Sequence, residues 1–125
     1  MLPPNLLIID PNLHFSRAAS AYLLKFREVK RVDLAADADE AFQIICTSKP
    51  DALLIDYTYF LDNSHLPLLC EQIKRILPGI LIIALTLYNT DLDDFRPGSV
   101  ILNGLVSKQD FAKGVIALFD LSLSS

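Results

Sequence analysis

Short apolar runs, each closing on a polar residue, recur along this chain. LLII ends at Asp10, ALLI at Asp56 and ILIIAL at Thr86, while GLVS leads into Lys108. Runs this short and continuous read as strands buried on both faces. The segments between them carry apolar residues at helical spacing. The pattern predicts strands over Leu6–Ile9, Val29–Leu34, Ala52–Ile55, Ile80–Leu85 and Leu105–Ser107. The second of these is the most polar and is placed at a sheet edge.

The first helix is predicted from Leu13 to Phe26, with Phe15, Ala18, Ala19, Tyr22, Leu23 and Phe26 as its apolar positions. Asp37 or Asp39 caps the second, which runs to Thr47 and buries Ala41, Phe42, Ile44 and Ile45. A loop from Tyr57 to His65 follows the third strand, with Tyr59 and Phe60 as packing residues. The third helix spans Leu66–Leu77 and buries Leu68, Leu69, Ile73, Ile76 and Leu77, and Pro78-Gly79 stops it. A fourth, acidic helix over Asp91–Asp94 is capped by Thr90 and broken by Pro97-Gly98. The last covers Asp110–Phe119, with Phe111, Val115, Ile116, Leu118 and Phe119 buried.

Strands alternating with helices mean an α/β fold, doubly wound around a five-stranded parallel sheet. With the polar strand at an edge, the order is 2-1-3-4-5 in a three-layer α/β/α sandwich. The 125 residues fit one domain, 1–125. In such a sheet the strand C-termini share one edge, and ligand sites form at the switch point. Asp10 and Asp56 end the strands that flank it, so two carboxylates, a hydroxyl and an ammonium are expected to meet there. That set suits a divalent cation and a phosphoryl group.

Charge and cysteine content remove other classes. The net charge of -4 gives no basic surface for nucleic acid. Lys25, Arg27, Lys30 and Arg31 read as a solvated helix end or edge strand. Cys46 and Cys70 form no C-x-x-C pair, and both read as buried free thiols. No apolar run approaches the roughly 20 residues that span a bilayer. MLPPN lacks the basic region of a signal peptide, so a cytoplasmic protein is expected. His14 and His65 read as solvated.

Asp10, Asp56, Thr86 and Lys108 lie 46, 30 and 22 residues apart in succession. In type, order and interval they resemble the site of the receiver domain of two-component response regulators, and the resemblance covers almost the whole chain. It implies a flavodoxin-like receiver fold and a phosphorelay role in signal transduction. Asp56 would be the phosphoacceptor for a histidine kinase or phosphotransfer protein. Thr86 and Lys108 would hold the phosphoryl group, and Asp10, Asp56 and Thr58 would form the Mg²⁺ site. The output would be a further domain, a partner protein or a homodimer. The protein would be a switch and not an enzyme beyond its own phosphorylation and dephosphorylation.

The chain also departs from that pattern. Pro11 stands where a second acid is usual, which weakens the expected Mg²⁺ site, and Asn12 offers only a neutral oxygen nearby. Leu87 replaces a small residue beside the site and is expected to cover Asp56. Leu105 replaces an aromatic that changes rotamer on activation. These departures define the alternative: a pseudo-receiver that docks partners without phosphorylation. A haloacid-dehalogenase-type phosphatase would need an acid at position 12, where this chain has Asn12.

Overall fold

A computed structural model describes residues 5–62, 66–87 and 103–119. In chain order the elements are β1 (Asn5–Ile9), α1 (Leu13–Leu23), β2 (Arg31–Ala35), α2 (Ala38–Ser48), β3 (Ala52–Asp56), α3 (Tyr57–Asp62), α4 (Leu66–Ile76), β4 (Leu81–Thr86), β5 (Gly104–Ser107) and α5 (Phe111–Phe119). The strands form one sheet in the order β2-β1-β3-β4-β5, parallel at every pairing. This is the expected order, with the polar strand at the edge.

Alternation along the strands splits the core in two. Leu6, Ile8, Leu54, Ile83, Leu85 and Val106 face α1 and α5. Leu7, Ile9, Leu53, Ile55 and Ile82 face the other way, toward Ala41 and Ile45 of α2 and Cys70 and Ile73 of α4. The strands have to be apolar on both faces because both are covered, which is why the runs are continuous.

Three expectations need correction. The stretch after Asp56 is not a loop, because Tyr57–Asp62 forms α3 directly at the end of β3. The buried helical stripes are narrower than the apolar content implies. On α2, Ala41 and Ile45 face the sheet and Phe42 is exposed. On α4, Cys70 and Ile73 face inward and Leu68 and Ile76 do not. On α5, Phe111, Val115 and Phe119 repeat every four residues and leave Ile116 and Leu118 exposed. A residue one position off such a stripe turns about 100° away from the sheet. Finally, Cys46 is exposed, and only Cys70 is buried.

Boundaries also move. α1 ends at Leu23, and two tight turns carry the chain on to Phe26, which still packs in the core. β2 begins at Arg31 rather than Val29. Asp37, not Asp39, caps α2, its carboxylate accepting from the Glu40 N–H. The expected acidic helix after Thr90, Pro97-Gly98 and His65 lie outside the described residues.

Burial sets the chemistry of the two thiols. It pushes Cys70 up to about 12, against a smaller opposing pull from Lys74. In the folded protein, iodoacetamide at mildly alkaline pH is expected to alkylate Cys46 and spare Cys70, with both reacting in urea. Peptide mass mapping reads this directly. A second expectation concerns α5, whose backbone lies close on the sheet. A Cβ added at Gly114 would stand 2.8 Å from Cγ1 of buried Val106. Gly114→Ala is therefore expected to cost about 1–3 kcal/mol, seen as a lower urea midpoint at unchanged slope.

Candidate functional site

The parallel sheet brings four polar residues to its C-terminal edge. Asp10 follows β1 directly, Asp56 is the last residue of β3, Thr86 is the last of β4, and Lys108 follows β5. The neighbouring strands β1, β3, β4 and β5 carry them in sequence across the sheet. The register sets Thr86 opposite Ser107, so Lys108 emerges one residue past Thr86.

Local bonds then fix each group. The Asp10 backbone N–H donates to the Ala35 carbonyl at 3.0 Å, anchoring it between β1 and β2. Its Oδ1 accepts from the Asn12 N–H at 2.9 Å, closing a turn across Pro11. The Lys108 N–H donates to the Thr86 carbonyl at 2.7 Å. Ser107 Oγ accepts from the Gln109 N–H at 3.0 Å and shapes the turn that carries the lysine. Thr86 and Ser107 are both buried.

The lysine links the two acids. Lys108 Nζ lies 2.5 Å from Asp10 Oδ2 and 2.9 Å from Asp56 Oδ1. Asp10 Oδ2 makes no hydrogen bond beyond that ion pair among the described residues. Asp56 Oδ2 accepts from the Tyr59 N–H at 2.9 Å, so Asp56 also caps α3. The Asp10 side chain is 2% exposed and that of Asp56 16%. Of the two carboxylates, Asp56 is the one that solvent or a reactant can approach.

Burial of the ammonium works against its charge. Its hydrogen bonds to Asp10 and Asp56, with their negative charges, outweigh that penalty and hold the Lys108 pKa above the ordinary lysine value. Two carboxylates facing one ammonium still leave a net negative charge, which favours a further cation.

The donor chemistry fits Mg²⁺. This ion prefers oxygen ligands, keeps several waters and is commonly held by one or two carboxylates. Asp10 and Asp56 supply two. No group of three or more acids, histidines or cysteines is placed to hold a metal among the described residues. Asn12 is already used, because its Oδ1 caps α1 by accepting from the Phe15 N–H. Pro11 and His14 are exposed. Thr58 is exposed in the first turn of α3, two residues beyond Asp56. Leu87 is 55% exposed, and Leu105 is half-buried.

Two neighbours of the site escaped the sequence reading. Phe15 sets its ring against the lysine, with Nζ 4.7 Å from the ring centroid. Tyr59 closes the Asp56 cap through its N–H, packs on the core and accepts from the Ala38 N–H through its hydroxyl. Phe15 carried only a helical-periodicity signal, which cannot separate a core ring from one facing a charge. The Asp-x-x-Tyr spacing at Asp56 held a cap signal, masked by the expectation of a loop.

Removing the ammonium would leave a buried carboxylate unopposed, so Lys108→Ala is expected to lower stability by roughly 3 kcal/mol at pH 7. A raised lysine pKa contributes stability in full below the unfolded value and loses it only as pH climbs through the native one. The gap between wild type and Lys108→Ala should therefore hold from pH 7 to about pH 10 and close above that. Urea melts at pH 7 and again above pH 10 measure it.

No protein-family model matches this sequence, and neither does any curated protein. Solved structures do. NtrX from Brucella abortus, in complex with ADP, superposes with a TM-score of 0.70 at 20% identity, over 96% of this chain and 26% of that one. RcsB from Salmonella typhimurium, a response regulator described for its conformational dynamism in DNA interaction, gives 0.69 at 23% identity over 94% and 60%. The REC domain of AraT, a response regulator from Geobacillus stearothermophilus, gives 0.66 at 16% identity over 92% of both chains. The chain thus spans about a quarter of NtrX and nearly all of the AraT domain. It has the fold of the response-regulator receiver domain, in the strand order its sequence predicts.

Proposed function

We propose that this chain is a phosphoacceptor receiver, with Asp56 taking a phosphoryl group from the phosphohistidine of a histidine kinase or phosphotransfer protein. The observation that carries this reading is the bridge from Lys108 to both Asp10 and Asp56 at the C-terminal sheet edge. The fold it shares with response-regulator receivers supports it.

In this reading an oxygen of Asp56 attacks phosphorus as the phosphorus–nitrogen bond breaks. The bonding electrons return to the imidazole, and an acyl phosphate remains on Asp56. Oδ1 is the oxygen beside the ammonium, whereas Oδ2 is held by the α3 cap. Lys108 would leave Oδ1 for a phosphoryl oxygen while keeping Asp10 as its second anchor. Lysine suits this because it is a compact charge with rotatable donors. The Thr86 hydroxyl would donate to another phosphoryl oxygen. Asp10, Asp56 and Thr58 would hold Mg²⁺, which when bound supplies positive charge to an otherwise anionic encounter. The protein would act as a cytoplasmic switch on an output domain, a partner protein or a second copy.

Two observations favour a second reading. Both oxygens of Asp56 already have partners, Lys108 and the Tyr59 N–H, and Pro11 removes an acid from the metal site. Asp56 would then be a structural cap in a pseudo-receiver that docks its partner without phosphorylation.

Intact mass after incubation with acetyl phosphate, with and without Mg²⁺, separates the two. The phosphoacceptor reading predicts one phosphoryl adduct that requires Mg²⁺ and is absent in Asp56→Asn. A folded protein that stays unmodified at saturating Mg²⁺ would favour the docking module.

A further inference from the structure

Lys108 has a third neighbour that the two carboxylates do not account for. Its ammonium stands 4.7 Å from the centre of the Phe15 ring. A cation over an aromatic face is attracted by the ring quadrupole, most strongly where water is excluded. The Lys108 side chain is only 12% exposed, so that condition holds.

Phe15 is also the first of a series of rings. It meets Phe111 edge to face, with centroids 5.4 Å apart and planes at 89°. Phe111 meets Tyr22 at 6.5 Å and 70°, and Tyr22 meets Phe26 at 5.1 Å and 81°. Phe15 and Tyr22 lie seven residues apart on α1, on one helical face. Phe111 opens α5, three residues after Lys108. One ring on α1 therefore touches both the charge at the end of β5 and the first residue of the helix that follows it. Edge-to-face pairs have a preferred geometry, so a Phe15 ring drawn along by the ammonium would carry its contact with Phe111 with it.

Leu105 gives this route its interest. It sits in β5 as a half-buried aliphatic and cannot act as an aromatic rotamer switch. The rings lie instead where α1 meets α5.

We propose that Phe15 is a positioning residue for the Lys108 ammonium, and that through Phe111 and Tyr22 it makes the α1–α5 seam sensitive to where that ammonium sits. The positioning role stands on the contact geometry alone. Its use as a signal rests on the phosphoacceptor reading given above.

Side-chain NMR tests both parts without any phosphorylation. Protons above a ring face resonate upfield, so the Lys108 Hε signals are expected upfield of those of the other lysines. Phe15→Leu should remove that ring shift and also loosen the ammonium, lowering the Lys108 side-chain order parameter from Cε relaxation, while Phe15→Tyr should keep both. Asp56→Asn removes one carboxylate from Lys108 and so moves the ammonium. It should shift the ring signals of Phe111 and Tyr22 in the native background and leave Tyr22 unmoved in Phe15→Leu. A Lys108 order parameter unchanged by Phe15→Leu would overturn the positioning role. A Tyr22 response of equal size in both backgrounds would overturn the coupling. Should Phe15→Leu fail to fold, native and Phe15→Tyr protein remain to be compared, and absence of the Lys108 shift from both would sink the proposal. If Asp56 proves unable to accept a phosphoryl group, these outcomes stand, because none of them uses a phosphodonor.

Discussion

One ammonium holding two carboxylates is the interaction on which this site depends. Asp10 is buried, and a buried charge is costly unless it is paired. Its partner, Lys108, comes from the far side of the sheet, past both β3 and β4. The same ammonium reaches Asp56. Residues 10, 56 and 108 are thus tied at one point although the chain between them builds most of the sheet. The apolar core makes this arrangement possible. With Leu, Ile and Val filling both faces, the polar groups have room only at the strand ends.

The site is held from below by backbone bonds and from the side by helix caps. Lys108 is pinned to β4 through Thr86, Asp10 to β2 through Ala35, and Asp56 to α3 through the Tyr59 N–H. Two polar side chains near the edge are consumed as caps, Asn12 on α1 and Asp56 on α3. The cap on Asp56 has a chemical consequence. It engages one carboxylate oxygen and leaves the other beside the lysine. The solvent exposure of the two acids points the same way: Asp10 is an anchor, and Asp56 is the reachable group.

Much of this was legible in the sequence because strand ends are punctuated. Continuous apolar runs announced a sheet covered on both faces, and the polar second strand announced an edge. Together they set the order 2-1-3-4-5. Asp10, Asp56 and Lys108 were placed at one edge by topology alone, and the structure joins them. What failed has separate physical causes. Apolar content overstates burial on helices, so Phe42, Leu68, Ile76, Ile116 and Leu118 were expected inside and are exposed. Tyr57–Asp62 looked like a loop because a six-residue helix is too short to show a period. Its signal was the acid before it, read only for chemistry. Phe15 was found as a helix residue but not as a neighbour of Lys108, because no sequence pattern records which ring faces a charge across two elements.

Lys108 and the buried Asp10 act as one energetic unit. A double-mutant cycle with Asp10→Asn, Lys108→Met and the pair together tests it most directly, by urea unfolding at neutral pH. If the ammonium is what makes the buried carboxylate tolerable, the two changes should be strongly non-additive, with a coupling above about 1 kcal/mol. Additivity within about 0.3–0.5 kcal/mol would mean that the two act independently. Asp10 would then be stabilised by its turn with Asn12 alone, and Lys108 would not organise the site.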